Sequence, residues 1–275
     1  MSVLRLFQKS NAPVARFPDG RVGYAVGDIH GRSDLLADMI ALLEQRSLDD
    51  TRLAGPPIVV FLGDYIDRGH DSAGVIAMLS SGLPRHFECR YLRGNHEQSL
   101  MAFLENPVGN RGWLLQGGAE TLMSYGVRPP PFNGSAEDWR ASAAELRGRM
   151  PASHLEFLNS LERYVELGDY VFVHAGVDDS RALADQTDEA LYWARDAFMA
   201  SKRPFSHRIV HGHTPVDRPY ADSRRIAVDT GAYASGTLTA ARFEGEAVSF
   251  ITAHRPNVTV STPSRTVLAA EVDWG

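Results

Sequence analysis

Six side chains of metal-binding type are spread over the first 213 residues, each within two positions of a glycine. They are Asp28 and His30 in Gly-Asp-Ile-His-Gly (27–31), Asp64 in Gly-Asp-Tyr-Ile-Asp-Arg-Gly (63–69), Asn95 in Gly-Asn-His-Glu (94–97), His174 in His-Ala-Gly (174–176) and His213 in His-Gly-His-Thr (211–214). Carboxylate and imidazole donors in one set suit manganese, iron or zinc better than calcium or magnesium. One residue separates Asp28 from His30, so at an extended strand end both project to one side and can share an ion. Asp64 has two carboxylate oxygens, enough to bridge a pair of metals. Asn95, His174 and His213 would complete the second ion. Two ions roughly 3.5–4 Å apart hold a shared water whose lowered pKa makes it a hydroxide near neutral pH, ready for in-line attack on phosphorus.

Such an attack needs an acid for the departing oxygen. His96 follows Asn95, is expected to point away from it, and is the candidate acid. Asp67 would accept a hydrogen bond from its other ring nitrogen, fixing the tautomer and raising its pKa. Arg68 and Arg93 lie in the same motifs, and a guanidinium grips phosphoryl oxygens in a bidentate fork. Arg195, in Tyr-Trp-Ala-Arg-Asp, is a third candidate clamp.

Each motif alone is weak evidence: Asp-X-His arises by accident, His174 could be a satisfied core histidine, and the glycines could mark turns. The conjunction of five motifs in one order, each after an apolar run, is what points to a dinuclear hydrolytic centre. His70, His86, His154, His207 and His254 lack that context, and His211 either supports His213 or simply ends a strand. Glu97 reads as a structural hydrogen-bond partner, and His96-Glu97 does not continue as the His-Glu-X-X-His of a zinc protease.

The elements that would bring these residues together are short. Val22–Gly27, Ile58–Gly63, Arg90–Arg93, Tyr170–His174, Arg208–His211 and Arg225–Asp229 read as buried strands ending in Gly, Asp, His or Arg. Ser33–Arg46, Ser72–Leu79 and His154–Tyr164 have helical spacing. Their alternation predicts an α/β fold with mostly parallel sheet. Ligand sites in such sheets gather at the carboxyl ends of strands, where all five motifs fall. The stretch 105–150, with Pro129-Pro130-Pro131 and several glycines, breaks the pattern and reads as a loop-rich cover beside the site. One domain over residues 1–275 is expected.

A hydrophobic fraction of 44% allows a full-sized core. A net charge of −6 and a pI near 5.9 argue against duplex nucleic acid as partner. The single cysteine, Cys89, excludes an intrachain disulfide and a cysteine-based zinc site. No signal peptide or membrane-spanning stretch is evident, so Asn133-Gly134-Ser135 and Asn257-Val258-Thr259 read as chance glycosylation matches and a cytoplasmic protein is expected.

These residues resemble the phosphoprotein phosphatase family of metallophosphoesterases. Its signature of Gly-Asp-X-His-Gly, Gly-Asp-X-X-Asp-Arg-Gly and Gly-Asn-His-Glu is matched without a gap, and the resemblance spans about residues 22–240. It implies a metallophosphatase-type central β-sandwich of mixed sheets flanked by helices, and a two-metal centre often loaded with manganese. It further implies hydrolysis of phosphoserine and phosphothreonine in protein substrates without a phosphoenzyme. The same residues carry over: Asp28, His30, Asp64, Asn95, His174 and His213 as ligands, His96 as acid with Asp67 behind it, and Arg68, Arg93 and Arg195 as phosphate clamp. His-Ala-Gly, and Gly-His-Thr-Pro followed by Val-Asp-Thr-Gly-Ala, are similar to the bacterial and phage branch. The nearest rival is a dinucleoside polyphosphate hydrolase of the diadenosine tetraphosphatase kind, which uses the same site. That family typically departs from Asp-Arg-Gly and ends the third motif in Asp, whereas Asp67 and Glu97 are kept here. A general phosphomonoesterase and a non-catalytic binding module complete the alternatives.

Overall fold

Strand β1 (Val22–Val26) is buried along its whole length because its two faces look into two different cores. Val22, Tyr24 and Val26 pack against helices on one side, while Ala25 faces the inside of a sandwich on the other. The same alternation holds in β2 (Ile58–Phe61): Val59 and Phe61 face helices, Ile58 and Val60 the sandwich. Strands buried on both faces read as unbroken apolar runs.

In this computed structural model, residues 14–49, 55–84 and 86–256 are described; the extreme amino terminus and the Asn257-Val258-Thr259 match lie outside them. Besides β1 and β2 the strands are β3 (Glu88–Tyr91), β4 (Val165–Leu167), β5 (Tyr170–Phe172), β6 (Arg208–His211), β7 (Tyr220–Ala221), β8 (Arg225–Ala227), β9 (Thr237–Glu244) and β10 (Ala247–His254). They form two five-stranded sheets, ordered β10-β9-β1-β2-β3 and β4-β5-β6-β8-β7. Each sheet has three parallel strands, β1-β2-β3 and β5-β6-β8, flanked by antiparallel partners. The sheets are therefore mixed, as the family resemblance implied, and the expectation of mostly parallel pairing is corrected. Its main omission is the β9–β10 hairpin, closed at Gly245 in the left-handed region (φ 55°). Phe17, Tyr170, Phe172, Ile226, Ala241 and Phe243 fill the space between the sheets.

Helices α1 (Ser33–Asp49), α2 (Ser72–Ser80), α3 (Asn95–Glu105), α4 (Gly118–Ser124), α5 (Ala136–Arg149) and α6 (Ala152–Ser160) lie on the outer side of the first sheet. Helices α7 (Asp188–Trp193) and α8 (Asp196–Ala200) cover the second, with Leu191, Tyr192 and Phe198 against Val171, Val173 and Ile209. A four-residue turn of helix, α9 (Ala232–Ser235), precedes β9. Among the described residues no helix is long and apolar enough to cross a membrane.

Two segments differ from expectation. The stretch 105–150 is mainly helical, and Trp113, Trp139 and Leu146 are core residues rather than parts of a loose cover. Ser135 caps α5 and pairs with Asp138, so the signal was an ordinary capping box before Trp139, Ala143 and Leu146 at helical spacing. Helix α6 ends four residues early because Glu162 is claimed elsewhere. Its backbone bridges Tyr91 and Arg93, and its carboxylate pairs with Arg90.

Glu97, in the first turn of α3, ties the second and third motifs together. Its carboxylate accepts from the backbone N–H groups of Asp64 (2.9 Å), Tyr65 (2.8 Å) and Gly94 (2.9 Å). A carboxamide in its place has one acceptor oxygen and leaves buried donors unmatched. Glu97→Gln should lower unfolding stability by about 1–3 kcal/mol, read from denaturant melts; an unchanged midpoint would remove that structural role.

Candidate metal centre

The carboxyl ends of six strands, three from each sheet, meet at one point. Asp28 follows β1, Asp64 follows β2, Asn95 follows β3, His174 follows β5, His213 follows β6 and Asp229 follows β8. All six side chains are at least 95% buried.

Two histidines are locked with the same nitrogen facing inward. His30 Nδ1 lies 2.8 Å from the Ile66 carbonyl oxygen, and His174 Nδ1 lies 2.9 Å from that of Leu62. A carbonyl can only accept, so each Nδ1 carries a hydrogen and each Nε2 is the nitrogen that faces the centre. Asp64 lies between them. Its Oδ2 is 3.6 Å from His30 Nε2 and 3.8 Å from His96 Nε2, while its Oδ1 is 3.4 Å from His174 Nε2. Two donor groups result, His30-Asp64-His96 and Asp64-His174-His213, and Asp64 belongs to both.

The remaining candidates join this frame unequally. Asn95 Oδ1 is 2.9 Å from His174 Nε2, and His213 Nδ1 is 3.2 Å from the same atom. Asp28 leans toward the second sheet, where both of its oxygens accept from the His213 backbone N–H (3.2 and 3.0 Å). Arg68 Nη1 reaches His30 Nε2 at 3.0 Å, and Arg195, at the junction of α7 and α8 rather than on a helix face, donates from Nε to His213 Nε2 at 3.0 Å. Arg93 turns away: it donates to the Leu158 carbonyl at 3.3 Å, and its Nε is buried without a partner. His96 is held by Asp67, with Nδ1 2.6 Å from Oδ2.

Backbone conformation sets this geometry. His30, Asp64, Asp67, Arg68 and His213 have φ between 46° and 72°, and they are the only non-glycine residues in that region among those described. Each such conformation costs about 1–3 kcal/mol and persists only where its surroundings enforce it. Asp28 and His30 therefore do not share a side through extended alternation, as the sequence suggested; a left-handed residue turns His30 inward. Nor does His96 point away from Asn95. Both sit in the first turn of α3, about 100° apart. That helix start also directs the His96 N–H to Asp64 Oδ1 at 3.1 Å.

Electrostatics fit a cationic occupant. Burial would raise Asp64, yet His174, His96 and His30 around it hold it well below the usual carboxylate range. Burial and the neighbouring charge of Asp229 push Asp28 well above it. Asp229 itself is pushed up to about 6, chiefly by burial. Burial lowers His30 to about 3, and burial with the charge of His174 lowers His213 to about 3, so both are neutral donors. His174 goes up to about 10 against the effect of burial, because Asp64 draws a proton onto it. A divalent cation would replace that proton and satisfy the three carboxylates together. The donor set suits such an ion. Sequence reading missed Asp229, although it obeys the rule that found the others: it follows a short buried strand. It also missed Tyr233, whose ring stands edge-on to His30 at 5.4 Å.

The sequence profile of calcineurin-like phosphoesterases matches residues 24–254. The chain belongs to this family. It is a metallophosphoesterase, of a family that works through a dinuclear divalent metal centre. The chain is 30% identical over 257 residues to the asymmetrical bis(5′-nucleosyl)-tetraphosphatase PrpE of Bacillus velezensis, covering 82% of this chain and 90% of that relative. Over 224 residues it is 27% identical to serine/threonine-protein phosphatase 2 of Salmonella typhimurium, covering 78% and 90%. In fold it is similar to a cold-active protein-tyrosine phosphatase of a Shewanella species (TM-score 0.58, 17% identity, covering 90% and 86%). A serine/threonine phosphatase of Saccharomyces cerevisiae is also similar (TM-score 0.50, 18% identity, covering 87% and 82%).

Gly212 gives a direct test of the centre. A Cβ there would lie 2.1 Å from Asp28 Oδ1, so Gly212→Ala must displace that carboxylate. After loading with a divalent cation such as manganese, the variant should hold less metal than the wild type by elemental analysis, with folding retained; equal metal content would take Asp28 out of the site.

Proposed function

We propose that this metallophosphoesterase removes phosphate from phosphoserine and phosphothreonine residues of proteins by direct in-line attack of water. Two divalent ions, manganese by preference, would be held by Asp28, His30 and Asp64 on one side and by Asp64, Asn95, His174 and His213 on the other. When bound, the ions supply Lewis-acid polarisation of the phosphoryl group and lower the pKa of the attacking water.

The chain's own residues do the rest. Arg68 contacts the inward Nε2 of His30 and Arg195 contacts Nε2 of His213; an ion bound by those nitrogens would release both guanidinium forks to take phosphoryl oxygens. Arg93 has a smaller part in that clamp than its motif suggested, since it bonds to Leu158. His96 presents Nε2 to the centre and holds its proton well: burial opposes the charge, but Asp64 and the hydrogen bond His96 donates to Asp67 outweigh burial and raise it above an ordinary histidine. It gives that proton to the departing oxygen.

The observation that carries the choice of substrate is this buried Asp67–His96 pair. A serine or threonine alkoxide is a far more basic leaving oxygen than a nucleotide phosphate and gains most from a positioned acid. Dinucleoside polyphosphate hydrolysis is the second reading, and the asymmetrical tetraphosphatases among the relatives favour it. The cytoplasm, expected from the sequence, would supply either substrate.

With manganese present, kcat/KM for a phosphothreonine peptide should exceed that for diadenosine tetraphosphate. The reverse order would keep the centre and replace the protein substrate with the dinucleotide.

A further inference from the structure

The stretch 105–150 carries none of the five motifs, yet it holds the carboxylate behind the candidate acid. Asp67 is fully buried, and three side chains load its two oxygens. Oδ2 accepts from His96 Nδ1 at 2.6 Å and from the indole Nε1 of Trp113 at 2.8 Å; Oδ1 accepts from the hydroxyl of Thr121 at 2.6 Å. The Thr121 hydroxyl also accepts from the Asp67 backbone N–H at 2.9 Å, so one side chain grips both ends of a residue held at φ 72°. The adjoining Gly117 carbonyl accepts from the Arg68 N–H at 3.2 Å. The Trp113 indole packs directly on Gly118, where an added Cβ would fall 2.5 Å from the ring.

A carboxylate bonded to His96 alone could rotate about its χ2 and carry the imidazole with it. Loading both oxygens from a second direction removes that freedom, and with it the freedom of Nε2 to leave the centre. We propose that Trp113 and Thr121 are positioning residues for general acid catalysis, acting through Asp67 on His96. The proposal rests on His96 being the acid.

The test compares wild-type enzyme, Thr121→Val, Thr121→Ser, Trp113→Phe and His96→Asn on phosphate monoesters whose leaving groups run from nitrophenol to simple alcohols. Thr121→Val and Trp113→Phe should each lower kcat about ten-fold on the alcohol esters, the worth of one buried hydrogen bond, and much less on nitrophenyl phosphate. KM and manganese content should stay at wild-type values, and Thr121→Ser should recover most of the loss. In the His96→Asn background, Thr121→Val should add nothing, because its effect passes through that ring. A loss equal across leaving groups, lost metal, or a full additional loss in the double variant would overturn the proposal; should Thr121→Val fail to fold, Trp113→Phe decides alone. If His96→Asn itself shows no leaving-group dependence, the acid assignment fails and the proposal with it. A steep dependence in His96→Asn but none in the Trp113 and Thr121 variants defeats the proposal alone.

Discussion

Burying the Asp64 carboxylate at the meeting point of two sheets is the constraint on which the site depends. A charged carboxylate removed from water is costly unless it is surrounded by compensating groups. Here His30 and His96 face one oxygen and His174 the other, while the first turn of α3 adds a backbone donor. Asp28 and Asp229 crowd the same space, so the protein gathers more negative charge than its own histidines neutralise without altered protonation. That imbalance suits the pocket to a cation better than to a closed buried ion pair.

The fold makes such a concentration feasible. Three parallel strands in each sheet point their carboxyl ends at one place, so six ligand-type residues need only short turns to converge. Those turns are tight, and five of the residues in them adopt left-handed conformations that the rest of the molecule must enforce. Glu97 does part of this by binding three amides of the second and third motifs. Gly94 and Gly212 do another part by leaving room: a Cβ on either would fall 2.1 Å from an oxygen of Asp64 or Asp28. Glycines that the sequence offered only as turn formers are thus also clearances for carboxylates.

Much of this was legible because strand ends and ligand types coincide in the sequence. An apolar run closed by Gly-Asp, Gly-Asn or a histidine located the convergence, and β6 was bounded correctly at Arg208–His211. What stayed hidden depends on distant contacts. The expected extended pairing of Asp28 with His30 failed because φ at His30 is set by its packing between β1 and the Ile66 carbonyl, which no local pattern encodes. Helix α3 is not evident in the sequence because its first residues, Asn95, His96 and Glu97, bear polar side chains that helices rarely bury. The links from Trp113 and Thr121 to Asp67 span 46 and 54 residues, and neither residue type announces such a duty. Arg93 shows a converse limit: it sits inside a motif, yet its guanidinium bonds to the Leu158 carbonyl, since side-chain direction is not fixed by proximity in sequence.

The most direct measurement is anomalous diffraction from crystals of the protein grown with manganese. The account predicts two manganese peaks that share Asp64, one beside His30 and Asp28 and the other among Asn95, His174 and His213. A single peak, or two that do not touch Asp64, would contradict it.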